Sequence, residues 1–223
     1  MALTRRPPVL SRMLGTRYLR PSTWSGSAAH PEIMVLQPWE WAELRAVRLR
    51  ALRESSDAFI ADYATERRLP PQMWRERLTS STWIIVRSGR SKIGTASLVR
   101  DPAHPQDRYV ECVWVAPGYR KRGILRSMMA DLALRAHDQG SDDLLLWVLE
   151  SNYEASDAYL KLGFEYTGER QPIALDEDRI RNAARTKPRK SKIPDPGSDD
   201  RAGQVRHELQ MRRKFIDNGG TEG

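Results

Sequence analysis

Cysteine is almost missing from this chain: Cys112 stands alone among 223 residues. One thiol closes no intramolecular disulfide and builds no thiolate metal cluster. Histidine is scarce too, and His30, His104, His137 and His207 show no metal-ligand spacing, so no metal is expected. A reducing cytoplasm fits this composition. Apolar runs are short, as in Leu144 to Leu149, far below the roughly 20 apolar residues of a membrane span, and no membrane partner is expected. The basic opening, MALTRRPPVLSRMLGTRYLRP, has no continuous apolar stretch before a small-residue cleavage site and does not read as a secretory signal. Two phosphate-binding fingerprints, GxxxxGK[ST] and GxGxxG, are absent as well.

Acids are missing from two segments, and this locates the net charge of +8. Residues 1–31 carry five arginines and no acid, and residues 179–192, RIRNAARTKPRKSK, carry seven basic residues and no acid. Setting those twelve charges aside turns +8 into −4, so the expected folded part is mildly acidic. Basic segments of this kind either stay solvated or touch nucleic acid. Residues 1–31, rich in Pro, Ser, Arg and Gly, are expected to be a disordered extension. A folded domain is expected over 32–216, with a polar, basic insertion at about 175–203 and a disordered tail at 217–223.

What is present has clear periodicity. Ile33 to Leu36 is a short strand, closed by Pro38. Trp41, Leu44, Val47 and Ala51 recur at helical spacing, and Ser55-Ser56-Asp57 interrupts them. Pro70-Pro71 opens a helix carrying Met73, Trp74 and Leu78, because a first turn tolerates proline. Strands at Thr82–Arg87 and Lys92–Val99 flank a hairpin turn, and a strand at Tyr109–Ala116 follows a Pro-rich loop. Leu125, Met128, Met129, Leu132, Ala133 and Ala136 then mark a buried helix face, which Gly140 ends. Asp143 to Leu149 reads as a strand buried on both faces. Asn152 to Leu162 reads as a helix stopped by Gly163, followed by strands at Phe164–Thr167 and Val205–Phe215. The strand–helix–strand unit over 109–149 predicts a locally parallel pair in a mixed sheet.

Chemistry concentrates at VWVAPGYRKRGILR, Val113 to Arg126. A strand breaks into a basic, glycine-marked turn and a helix starts at once. The first turn of a helix has unpaired N–H groups and the positive end of the dipole, which together attract an anion. Gly123 removes a side chain where a phosphate would approach, and Arg120, Lys121 and Arg122 add charge. A solvated basic loop is the bland alternative. A second segment, ESNYEASDAYLKLGF, places Asn152, Ala155, Tyr159 and Leu162 on one helical side.

Taken together, the two segments resemble the GNAT N-acetyltransferase superfamily. The family's pyrophosphate loop, V-x-P followed by [QR]-x-x-G-x-[GA], is matched by Val115-Ala116-Pro117 and then Arg120 to Leu125. Its downstream N-x-x-A-x-x-x-Y-x-x-x-G-F is met by Asn152, Ala155, Tyr159, Gly163 and Phe164. Leu125 departs from the pattern, which usually has glycine or alanine there. The resemblance covers roughly residues 32–174 and 204–215. It implies an α/β fold: a mixed, mostly antiparallel sheet with a central splayed parallel strand pair, flanked by helices. It also implies acetyl-CoA as co-substrate and a primary amine of a small molecule or a protein as acceptor, joined by direct attack in a ternary complex.

On that resemblance, acetyl-CoA would be held by Val113, Trp114, Val115, Arg120, Lys121, Arg122, Gly123, Ile124, Leu125, Arg126, Asn152, Ala155 and Tyr159. A backbone N–H on 113–115 would polarise the thioester carbonyl. Tyr159 would be the general acid toward the leaving thiolate; packing on the helix face is the alternative. Glu111 is the candidate base, because strict alternation puts it on one face with Val113 and Val115. Glu150 is a second candidate. Cys112, on the opposite face by the same alternation, reads as a core residue. Trp39, Trp41, Trp74 and Trp83 either line the acceptor pocket or pack in the core, and His137 has no assigned role. A monomer or homodimer is expected. The rival reading is a non-catalytic CoA-binding or nucleic-acid- and ribosome-associated module, which Leu125 and the arginine-rich segments favour.

Overall fold

The computed structural model describes residues 31–173 and 206–215. The expected extension 1–31 (apart from its last residue), the basic stretch 179–192 within the insertion 175–203, and the tail 217–223 lie outside the described residues. The chain opens with strand β1 (Glu32–Val35), helix α1 (Trp41–Glu54), the short helix α2 (Tyr63–Glu66) and helix α3 (Pro71–Ser80). Strands β2 (Thr82–Ser88), β3 (Ser91–Arg100) and β4 (Arg108–Val115) follow. Helix α4 (Ile124–Asp138), β5 (Asp143–Leu149), α5 (Tyr153–Leu160), β6 (Glu165–Pro172) and β7 (His207–Lys214) complete the order.

The described strands form one sheet in the order β1-β2-β3-β4-β5-β7-β6. All neighbours are antiparallel except β4 and β5. The mixed sheet with one parallel pair is the expected architecture. Three details differ from the periodicity. The early helical region holds α2 as a separate turn, started by the Asp62 carboxylate accepting from Thr65 N–H at 2.9 Å. Helix α5 ends at Leu160, where the Leu162 and Phe164 N–H groups turn back onto the Tyr159 carbonyl. Strand β6 runs on to Pro172, past the expected Thr167, because a register shift between Tyr166 and Arg170 absorbs Gly168 within the pairing. Its polar residues, at the sheet edge, hide that extension from an alternation pattern.

The core lies between the sheet and its helices. Met128, Met129, Leu132 and Ala136 of α4 are buried against it, as are Leu44, Val47 and Leu52 of α1. Fully burying a side chain of this size stabilises by about 1.5–3 kcal/mol. Gly94 sets how closely α4 approaches β3: a Cβ there would sit 3.1 Å from Met128 Sδ and 3.2 Å from Val86 Cγ2. Among the described residues, no helix is long and apolar enough to cross a membrane.

Candidate active site

The parallel pairing of β4 and β5 is brief: it joins Tyr109 to Leu145 and Val110 to Leu146. The cause is in β4. Ser97 of β3 faces Glu111, yet Thr95 faces Trp114, so β4 carries one extra residue at this point. Cys112 takes up the surplus with φ 55, a left-handed conformation rare outside glycine. A bulge of this kind bends its strand and raises the local twist. The C-terminal halves of β4 and β5 are not paired to each other, and a wedge opens between them.

The bulge overturns two expectations that assumed strict alternation. Thr95 and Ser97 lie on one face of β3, so their partners Trp114 and Glu111 share a face. Glu111 therefore does not share one with Val113 and Val115. Nor is Cys112 set apart from Glu111: Val110, Glu111, Cys112 and Val113 all border one cavity of about 270 Å³. Burial pushes the Cys112 thiol up, with Arg48 acting against that shift.

This cavity fills the wedge. Trp147 to Leu149 of β5 form another wall, with Asn152, Ala155 and Tyr159 from α5. The segment 58–61, including Phe59, closes it from the α1 side, and Arg48 and Glu208 complete the polar lining. Asn152 caps α5: its side-chain oxygen accepts from Ala155 N–H at 3.2 Å, which leaves the amide NH2 group as donor. Tyr159 is buried, with its ring 5.7 Å from that of Phe164. Burial alone raises its phenol well above the ordinary value of about 10.

Beside the wedge, β4 runs into the basic turn. Ala116 N–H donates to Ile93 O at 2.8 Å, and a 3-10 turn at Pro117–Tyr119 reverses the chain. Lys121 and Gly123 both have positive φ, 58 and 80. No side chain caps α4, so the first-turn N–H groups of Ile124, Leu125 and Arg126 face an anion-attracting helix start. Ser127 N–H makes the first helical bond, to Gly123 O at 3.0 Å. Leu125 packs against the core, so its bulk lies away from those amides. Lys121, Arg122 and Arg126 are exposed, and Arg122 lies over the Tyr119 ring. Replacing Gly123 by alanine places an L-residue in the left-handed region, at a cost of about 1–2 kcal/mol. No atom lies within 4 Å of the added Cβ, so the strain is conformational. Denaturant unfolding should show that loss.

Arg120 is engaged away from the amides. Its Nε donates to Val115 O at 3.2 Å, its Nη2 to Ser55 Oγ at 3.0 Å, and Nη1 lies 3.6 Å from Glu154. It ties the turn to the ends of β4 and α1 and to α5. Val115 and Trp114 are core side chains, with Trp114 beneath Arg50. Only their backbones are placed to meet a ligand.

Other candidates fall outside the cavity. Glu150 is held by Arg170 at 2.9 Å, and that bond lowers its carboxyl. Trp74 and Trp83 are core, and Trp39 is 74% exposed. Trp41 lies against Arg75, and His137 meets Phe215 edge-on. Asp101, His104 and Asp107 have ligand-type atoms within 4.8 Å of one another, but the Asp101 carboxylate closes its loop by accepting from Ala103 and His104 N–H.

Periodicity missed Arg48, Trp147 and Glu208. Glu208 lies on β7 opposite Leu149, is 7% exposed, and accepts from Gln171 Nε2 at 3.1 Å. One signal was available: Glu208 and Gln210 occupy the buried parity of HELQM, where an apolar residue is expected. Arg48 had none, because it reads as a charge on an amphipathic helix.

The chain is similar in sequence and in fold to known acetyltransferases. Residues 41–164, more than half of the chain, match the family model described as the acetyltransferase (GNAT) family. A Mycobacterium tuberculosis protein named a probable N-acetyltransferase is 27% identical over 143 residues, covering 61% of this chain and 80% of that protein. A GNAT-family acetyltransferase from Streptococcus pneumoniae has a TM-score of 0.60 at 16% identity, covering 83% of this chain and 100% of that one. A candidate acetyltransferase from Salmonella typhimurium, solved with its cofactor acetyl-CoA, has a TM-score of 0.57 at 14% identity. It covers 87% of this chain and 99% of that one. At these identities the structural likeness speaks for the fold.

Proposed function

The chain belongs to the acetyltransferase (GNAT) family and is an acyltransferase, and from that premise we propose that it moves an acetyl group from acetyl-CoA to a primary amine by direct attack in a ternary complex. One observation carries the reading: a wedge between β4 and β5 opens beside an uncapped, glycine-entered helix start. The pyrophosphate meets the first-turn amides of α4, with Lys121, Arg122 and Arg126 around them. Arg120 positions the turn rather than contacting the phosphates. The pantetheine arm enters the wedge, where strand backbone not shared between β4 and β5 can pair with it. Asn152 offers its NH2 group there, and the Val113 and Ala155 surfaces flank it.

The amine nitrogen attacks the thioester carbonyl, whose oxygen accepts from a backbone N–H of 113–115. The N–C bond forms, the C–S bond breaks, and the sulfur takes the Tyr159 proton. The amine's surplus proton passes to a cavity carboxylate. Glu111 and Glu208 both border the cavity, and Glu208 is the more buried of the two. We assign the base to Glu111, reached through water, with Glu208 as the competing assignment. Measured pH profiles of kcat/KM decide between them. Glu111→Gln should lower kcat/KM by about 10²-fold, within the range of general base catalysis, and remove the acid limb. The same outcome in Glu208→Gln, with Glu111→Gln near wild type, reverses the assignment.

Thiol release from acetyl-CoA with a mixed panel of amines tests the reaction as a whole. No release from any amine overturns it, and strongly salt-dependent RNA binding would then favour the non-catalytic rival. Leu125 no longer supports that rival, because its side chain packs on the core.

A further inference from the structure

We propose that the acceptor carries a carboxylate beside its amine, as a free amino acid does, and that Arg48 receives this carboxylate; the inference rests on the acetyl-transfer reading above. Arg48 is on α1, is 4% exposed, and borders the cavity. Its Nε and Nη2 donate to Glu66 at 3.3 and 3.1 Å. Arg77 also donates to Glu66, at 2.9 Å. Two guanidinium groups thus share one carboxylate, and Glu111 is the further negative charge that acts on Arg48. Phe59, another cavity residue, covers the guanidinium face with its ring centre 4.6 Å away.

The third nitrogen, Nη1, is buried and has no hydrogen-bond partner among the described residues. Buried donors are nearly always paired, and an unpaired one on a charged group costs more than a neutral one. Trp74 and Trp114 each have one buried, unpaired Nε1, but neither residue borders the cavity. Of these three residues, Arg48 is the one that borders the cavity in which a ligand must sit. A planar guanidinium with one edge taken and one face covered offers its remaining edge to a carboxylate.

The opposite charge is on the same lining. Glu111 and Glu208 suit an ammonium or a primary amine. A cavity whose lining carries carboxylates and an unsatisfied guanidinium fits a zwitterion. A polyamine would leave Nη1 unpaired and bring a like charge beside it. The acceptor shares this cavity of about 270 Å³ with the end of the pantetheine arm, which limits it to a small molecule.

The test uses the full-length wild-type protein, acetyl-CoA and the free amino acids, with thiol release as readout. Each responsive amino acid is compared with its carboxamide and its decarboxylated amine. We expect kcat/KM to favour the amino acid by about 10- to 100-fold, the range of a charge-assisted hydrogen bond to a buried group. Arg48→Lys, which keeps a cation beside Glu66, should bring this ratio to within about three-fold, since an ammonium lacks the planar fork. The comparison is a ratio within one protein, so a partial loss of folded enzyme cancels. Should the variant not fold, the wild-type ratio decides alone. Decarboxylated amines that react as well as their amino acids overturn the proposal, as does a preference that survives in Arg48→Lys. So does a wild-type structure with an amino acid bound and only a water on Nη1. Calorimetric titration with acetyl-CoA alone separates this failure from that of the parent reading. Binding with turnover of amines but no carboxylate preference sinks the acceptor inference, while absence of binding sinks acetyl transfer itself.

Discussion

Tyr159→Phe should lower kcat by about 10²- to 10⁴-fold, the range for loss of a positioned general acid. KM for acetyl-CoA should change little. The substitution removes one hydroxyl and keeps the ring that packs against Phe164, so a thermal melt close to wild type is the necessary control. The physics behind the expectation is a matching of acidities. A free thiol loses its proton near pH 8.5 and a phenol near about 10, so transfer from tyrosine to thiolate is uphill in water. In the wedge, burial raises the Tyr159 phenol further. The same burial disfavours a bare thiolate and raises the leaving sulfur in the same direction. What decides the outcome is that the phenol stays protonated across the working range. Its folded pKa lies above the unfolded one, so its contribution to stability is complete below about pH 10 and is lost as pH rises through the folded value. A wild-type profile of kcat should accordingly show no falling limb from Tyr159 below about pH 10. A kcat within a few-fold of wild type in Tyr159→Phe would reduce the residue to packing on its helix.

Glu66→Gln should destabilise the fold by about 3–5 kcal/mol, because it removes the charge that two arginines share. Arg48 and Glu66 are 4% and 6% exposed at their side chains, and Arg77 is 24% exposed. Burial raises the Glu66 carboxyl, but Arg48 and Arg77 outweigh it and hold the group below its usual value. A depressed folded pKa adds stability that is present above the unfolded value of about 4.3 and lost as pH falls through the folded one. Urea midpoints measured at neutral pH and again below pH 4 check both points: the variant should be weaker at neutral pH and should lose less on acidification. Equal midpoints at neutral pH would mean that water, rather than Glu66, compensates the arginines.

Much of the site was readable in order along the chain. The glycine before α4 and the helix stop at Gly163 were each legible in a few adjacent residues, while the αL backbone of Gly123 and the cap by Asn152 are seen in the structure. Helical periodicity also placed Leu125 on the apolar face of α4, and it packs there. Arg120 shows the opposite case. Its position in a basic turn suggested a phosphate ligand, but its bonds to Val115, Ser55 and Glu154 join three elements that are distant in sequence.

The sequence alone carried the motifs on which the family resemblance rests, and local physical chemistry determined the strand–helix–strand unit and the helix start that favours an anion. Such features follow from side-chain size, backbone preference and spacing within one or two turns. Tertiary structure decided what the cavity contains. The bulge at Cys112 depends on register with β3, and it moved Glu111 off the face that alternation had assigned. Glu208 reaches the cavity because β7 pairs with β5, and Arg48 is buried because α1 packs beside α2 and α3, where Glu66 and Arg77 meet it. Register and burial are set by distant neighbours, and no local pattern encodes them.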